Sequence, residues 1–155
     1  MSTHRVTVAL FPAALTSAAL AAPLLAKFGF ALSAFAILQF FSLACQQDPA
    51  RSFWIASAPV AVCSRCLGIY MGAVAGAWIP APRRAILGFL AATVLVSLLD
   101  FFAESAGLHG NWPWVRWALG ALLGAGGTAL ITQATWAPAS GCPPDPPPGG
   151  SLRRK

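Results

Sequence analysis

The chain has 155 residues, of which 57% are hydrophobic and only 9% are charged, against roughly 25% charged residues in an average soluble domain. With a mean hydropathy of +0.69 it cannot cover its surface with polar groups in water, so an ordinary soluble domain is excluded and the solvent is largely lipid. The net charge of +6 rests on ten basic residues, too few and too scattered to outline a nucleic-acid footprint.

Five apolar runs follow one another: 6–26, 28–44, 62–81, 85–103 and 117–137. At about 1.5 Å per helical residue each covers roughly 26–31 Å, which matches a hydrocarbon core of about 30 Å. Backbone in hydrocarbon must satisfy its own hydrogen bonds, and Ala, Leu, Phe and Val without strict alternation argue for helices over barrel strands. The expected fold is therefore an all-α polytopic transmembrane helix bundle of about five spans within residues 1–137. Only Lys27 separates the first two runs, the second of which opens on Phe28 and Gly29. The first run also has a second reading, a cleaved signal peptide with Arg5 as its charged start and the alanines near 19–22 as its cleavage site, which leaves four spans. That reading puts Arg83 and Arg84 on the exoplasmic side, against the positive-inside bias. Residues 138–155, rich in Pro and Gly and ending in Arg153, Arg154 and Lys155, cannot bury enough apolar surface to fold and read as a disordered basic tail.

The six tryptophans, at 54, 78, 112, 114, 117 and 136, all fall at or just beyond the ends of runs, as interfacial residues should. Alternating five spans places six cations, Lys27, Arg83, Arg84 and the three of the tail, on one side and four, Arg5, Arg51, Arg65 and Arg116, on the other. The positive-inside rule then favours a cytoplasmic C-terminal tail and an exoplasmic cysteine loop. The third run carries Gly68, Gly72 and Gly76 and the fifth carries Gly120, Gly124 and Thr128. Small residues four apart share a helix face and let backbones approach closely, so both faces are expected to pack against helices, and against each other in one arrangement.

Chemistry concentrates between the second and third runs, in Cys45-Gln-Gln-Asp-Pro-Ala-Arg-Ser-Phe53 and Cys63-Ser-Arg-Cys-Leu-Gly-Ile-Tyr-Met-Gly72. Cys63 and Cys66 form a Cys-x-x-Cys at the start of a helix, where unpaired amides, the helix dipole and Arg65 stabilise thiolate. That setting suits a redox dithiol or two soft metal ligands, and the spacing alone does not decide. Cys63, Cys66 and Tyr70 lie on one helical stripe, away from the glycine face. Cys45 closes the second run at similar depth and is able to complete a three-sulfur site or to form a disulfide with either partner. Cys142, in the tail, reads as incidental. Asp100 sits near the cysteine end of the fourth run, where a charge needs a partner, and Arg51, Arg65 and Arg116 are the candidates. Glu104 and His109 read as solvated loop residues, and His4 as part of a frayed terminus. No phosphate-binding glycine loop, nucleophile elbow or paired catalytic carboxylates appear.

These strings resemble the signature of the domain-of-unknown-function 2085 family, small predicted integral-membrane proteins of bacteria and archaea, whose pattern runs Cys-His-Gln, Arg-Ser-Phe, Cys-Ala-Arg-Cys-Thr-Gly-Ile-Tyr, with a later helical Asp and an Asn and Arg before the last helix. The matching residues are Cys45, Gln47, Arg51, Ser52, Phe53, Cys63, Arg65, Cys66, Gly68, Ile69, Tyr70, Gly72 and Asp100, with Asn111 and Arg116 matching more loosely. The likeness covers roughly residues 25–127. Gln46 departs from it, standing where the family has His, so a Cys-His metal centre would lack a ligand here and leave three sulfurs. The resemblance implies fold and location but no activity.

Two functional readings follow. In the first, the chain is an accessory or site-binding membrane protein, a subunit of a larger complex, with Cys45, Cys63 and Cys66 in a structural disulfide or metal site braced by Gln47, Arg51, Ser52, Arg65, Tyr70, Asp100 and Arg116. The alternative is a thiol-disulfide oxidoreductase that uses Cys63 and Cys66 with a quinone; such enzymes normally need a second cysteine pair. A transporter is disfavoured by the lack of polar residues in the span centres.

Overall fold

A computed structural model of the chain describes residues 2–108, 110 and 112–136. The expected tail, with Cys142, lies outside the described residues, as do His109 and Asn111. The protein is an all-α membrane helix bundle: α1 (Ser2–Lys27), α2 (Ala31–Ser42), α3 (Ser64–Gly76), α4 (Arg83–Ser105) and α5 (Pro113–Trp136), with one small hairpin of β1 (Trp54–Ile55) and β2 (Ala58–Pro59). α1, α4 and α5 are long and apolar enough to cross a membrane. Burial runs inside-out on α4, where Thr93 and Ser97 are buried while Leu95, Leu99 and Phe102 are exposed. That distribution suits lipid and not water as the surrounding solvent.

Two helices are shorter than the runs that suggested them. α2 has 12 residues and α3 has 13, about 18 and 20 Å of rise, less than a bilayer core. The physical reasons differ. The chain leaves α2 in a tight turn, where the amides of Ala44 and Cys45 both reach the Phe41 carbonyl, and Gln47 then takes a left-handed backbone. Beyond α3, Pro80 and Pro82 disfavour helical geometry at Ile79 and Ala81. The Gln133 side-chain amide of α5 donates to the Ala81 carbonyl, which satisfies a backbone group that no helix can serve at that depth. The third run is thus a helix completed by a non-helical segment alongside α5.

Gly29, at φ +87°, closes α1. The Phe30 amide donates to the Leu25 carbonyl at 2.9 Å and the Gly29 amide to Ala26 at 3.3 Å, a left-handed helix stop that a Cβ would strain. α1 also contains Pro12 and Pro23. Pro23 has no amide hydrogen, so the carbonyl of Ala19, four residues earlier, loses its helical donor. The Ala61 amide supplies one at 3.4 Å, stitching the segment before α3 to the middle of α1. Around this stitch Ala19, Ala22, Phe41, Cys45, Val60, Ala61, Val62 and Leu67 form the buried core.

α3 and α5 run parallel in the most intimate contact of the fold. A Cβ built on Gly68 would overlap the Trp117 carbonyl, one on Gly72 the Ala121 backbone, and one on Gly76 the Ala125 backbone. Reciprocally, Gly120 faces the Arg65 carbonyl and Gly124 the Ile69 carbonyl. The two stripes face each other, and Thr128 continues the second one into the buried interior. α4 returns antiparallel to α5. The start of α3, the end of α4 and the start of α5 therefore meet at one end of the bundle, while Arg83 and Arg84 begin α4 at the other end.

Candidate functional site

Three sulfur atoms gather at that end. The Sγ atoms of Cys45, Cys63 and Cys66 all lie within 4.8 Å of one another, and all three thiols are free. Two come from one helix start: Cys63 is the N-cap of α3 and Cys66 is on its first turn. The third arrives on the turn after α2, where the Cys63 amide donates to Cys45 Sγ at 3.2 Å. Gln47 fixes that turn, its side-chain amide donating to the Leu38 and Ala61 carbonyls at 2.8 Å each. Hydrogen bonding from the Cys63 thiol first, and then from Cys66, holds the Cys45 sulfur well below the ordinary thiol range, because a shared proton stabilises the thiolate that accepts it. With metal–sulfur bonds of about 2.3 Å, tetrahedral ligation sets sulfurs about 3.8 Å apart. At no more than 4.8 Å apart, no pair of the triad exceeds that spacing by more than about 1 Å.

A charged layer adjoins the sulfurs. Arg65 Nη2 donates to Asp100 Oδ2 at 2.9 Å, so Arg65 is the partner of Asp100 among the three expected candidates. Arg51 and Arg116 instead converge on Glu104, Arg51 at 3.4 Å and Arg116 in direct contact. Arg51 also meets Asp48 at 3.4 Å. The expectation that Glu104 is a solvated loop residue is corrected: it lies on the last turn of α4 with its side chain 16% exposed, against Arg116 at 6%. Its neighbours explain why. Thr93, Ser97, Asp100 and Glu104 recur at helical spacing on one inward face of α4, a polar stripe legible in the sequence once the face is drawn. His4 sits within α1, away from this layer in the chain, and Gln46 is exposed.

Each motif residue has a distinct place. Ser52 Oγ donates to the Asp48 carbonyl at 2.9 Å, and Asp48 caps the single 3-10 turn Pro49–Arg51 by accepting from the Ala50 amide. Phe53 packs on Trp114 with ring centroids 4.7 Å apart, anchoring the hairpin to α5. Two residues of the hairpin turn, Ala56 and Ser57, are left-handed, as a two-residue turn matching the strand twist requires. Tyr70 packs on Phe41 at 6.0 Å and joins the apolar core beneath the sulfurs. Sequence reading alone passed over Ser64, which is fully buried, with an Oγ that has no hydrogen-bond partner among the described residues.

The family model for predicted membrane proteins DUF2085 matches residues 45–130, from the first of these cysteines to the last third of α5. The chain belongs to that family. It is also similar to an uncharacterized protein of Methanocaldococcus jannaschii, 53% identical over 36 residues, a stretch that covers 23% of this chain and 23% of the relative. This DUF2085 protein matches no solved structure. What the family membership carries is an integral-membrane fold in contact with the lipid bilayer; it assigns no reaction to the sulfur cluster.

Proposed function

We propose that this DUF2085 protein is a site-binding membrane protein that holds one soft metal ion, Zn(II) or Cu(I), on Cys45, Cys63 and Cys66 at one membrane face. The observation that carries this reading is the approach of three free sulfurs to within 4.8 Å of one another. Thiolates are the ligands such ions prefer. The ion would neutralise charge that three thiolates cannot keep together, while Gln47 and the Cys63 amide hold the ligands in place before it binds. Three sulfurs leave a position for a further ligand. The wide exposed apolar faces of α2 and α4 support a role as a subunit of a larger membrane assembly, and the cation distribution supports an exoplasmic cysteine loop with Arg83, Arg84 and the tail in the cytoplasm.

A specific observation favours a second reading, a thiol oxidoreductase: the dithiol sits at a helix start with a third sulfur in reach. There Cys63 and Cys66 would form a disulfide, passing two electrons and two protons to a quinone, which becomes a quinol. Elemental analysis of protein purified under reducing and metal-replete conditions separates the two. About one equivalent of metal per chain, lost in Cys63→Ser, is the expected result. A metal-free protein with a reducible Cys63–Cys66 disulfide that re-forms on adding quinone overturns the metal reading in favour of the second.

A further inference from the structure

Beside the sulfurs, and sharing Cys63 with them, lies a cavity of about 80 Å³ whose wall includes Arg51, Ser64, Arg65, Glu104 and Arg116. We propose that this cavity binds the oxyanion of a phosphate group. Three observations carry the proposal, and none depends on a metal at the thiols. First, Ser64, one of the residues lining the cavity, is 0% exposed, and its hydroxyl has no partner among the described residues. A buried hydroxyl without a partner is rare and points to a ligand that supplies one. Second, Ser64 opens the 13-residue helix α3. The Leu67 amide is the first to find a helical acceptor, the Cys63 carbonyl, so the amides of Ser64, Arg65 and Cys66 have no carbonyl from their own helix and the positive end of its dipole is close by.

Third, the wall carries three guanidinium groups and one carboxylate; Asp48 and Asp100 beside it also pair with Arg51 and Arg65, so formal charge is balanced and what is in excess is N–H donors. Glu104 is shared between Arg51 and Arg116, and each guanidinium has five N–H donors, so donors outnumber acceptors. Arg65 Nε is buried with no partner among the described residues, although its Nη2 serves Asp100. Planar guanidinium forks match phosphate oxygens in pairs. The volume suits one small oxyanion and excludes a nucleotide. The exposed tryptophans at 54, 112 and 114 put this end of the bundle at headgroup depth, so the phosphate has two sources with one chemistry: a phospholipid headgroup in the bilayer or free inorganic phosphate in water.

The test uses the full chain purified in a mild detergent. Thermal unfolding is followed during titration with sodium phosphate at constant ionic strength, with sodium chloride as the reference anion. In parallel, native mass spectrometry follows retention of phosphatidylglycerol added to the micelles. Arg51→Gln, which alters a half-exposed side chain, is expected to weaken phosphate or lipid binding by about tenfold, and Ser64→Ala by about fivefold. Gly88→Ala, far from the cavity on α4, serves as a control with binding unchanged. Saturable stabilisation by inorganic phosphate that both variants weaken supports the proposal with a free anion. Retention of the phospholipid without a phosphate response, weakened in both variants, supports it with a headgroup. If neither ligand binds saturably, or binding is equal in both variants and wild type, the proposal is overturned. Metal content at the thiols is read separately and stays at its wild-type level in Arg51→Gln, so failure here leaves the metal reading standing.

Discussion

Replacing Glu104 by Gln should be among the most damaging single-atom changes available to this fold. Glu104 is the only carboxylate in contact with Arg116 among the described residues, and the pair is 16% and 6% exposed at the side chains. Removing one member of a buried ion pair leaves the other charge without compensation and costs about 3–5 kcal/mol. The Gln oxygen still accepts one hydrogen bond, which brings the expectation to the low end. The second contact, to Arg51 at 3.4 Å with that side chain 43% exposed, adds little, since exposed pairs contribute about 0–1 kcal/mol. The expected loss is about 3 kcal/mol, roughly two orders of magnitude in the unfolding equilibrium. Removing the charge from the other side, in Arg116→Met, leaves Glu104 with Arg51 as a partly solvated pair and should cost less. The double variant Glu104→Gln/Arg116→Met should be more stable than Glu104→Gln alone, a coupling that only a direct interaction produces. Equilibrium unfolding in mixed micelles titrated with a denaturing detergent, followed by the fluorescence of the six tryptophans, measures all three. A loss in Glu104→Gln within about 0.5 kcal/mol of zero, or strictly additive effects in the double variant, would refute the argument.

Two further outcomes follow from the geometry. Gly72→Ala sets a methyl group into the Ala121 backbone, which cannot swing aside as a side chain can, so a destabilisation of about 1–3 kcal/mol is expected. Gly88→Ala, with nothing within 4 Å of its Cβ, should be neutral or stabilising by up to about 1 kcal/mol through helix propensity; the same unfolding assay ranks them, and equal effects would argue against the close α3–α5 contact. The lowered pKa of Cys45 means that its sulfur is already thiolate at neutral pH. Reduced, metal-free protein should therefore show thiolate absorbance near 240 nm at pH values of about 6–7, below the ordinary thiol pKa of about 8.5. That absorbance should be lost on acidification and be missing in Cys45→Ser. The sign is that of an acid: a depressed folded-state pKa adds stability that is fully present above the unfolded value and declines as pH falls towards the folded one. Absorbance that instead first appears in a single step near pH 8.5 would rule the thiolate out.

Much of this protein was legible in residues alone because its dominant constraint is one-dimensional. Hydrocarbon admits only helices or closed barrels, and long apolar runs without strict alternation, ended by interfacial tryptophans, announce helices without reference to any partner. The same holds for the glycine stripes, whose four-residue spacing marks a packing face whatever it meets. The cysteine strings were likewise visible as a motif, and with them the family. What the order of residues does not contain is distance between segments. That Cys45, eighteen positions before Cys63, closes a triad depends on the turn after α2 and on Gln47 reaching two carbonyls. The choice among three arginines for Asp100 depends on the parallel pairing of α3 with α5, which turns Arg65 towards α4 and leaves Arg116 to Glu104. The shortness of α2 and α3 was hidden for a related reason: hydropathy counts apolar residues whether or not their backbone is helical, and an orphan carbonyl at Ala81 or Ala19 is tolerable only because a donor from another segment meets it. The sequence determined the solvent, the helices and the chemical inventory, through properties each residue carries alone; tertiary structure decided which sulfurs and charges face one another, because that is set by how helices pack.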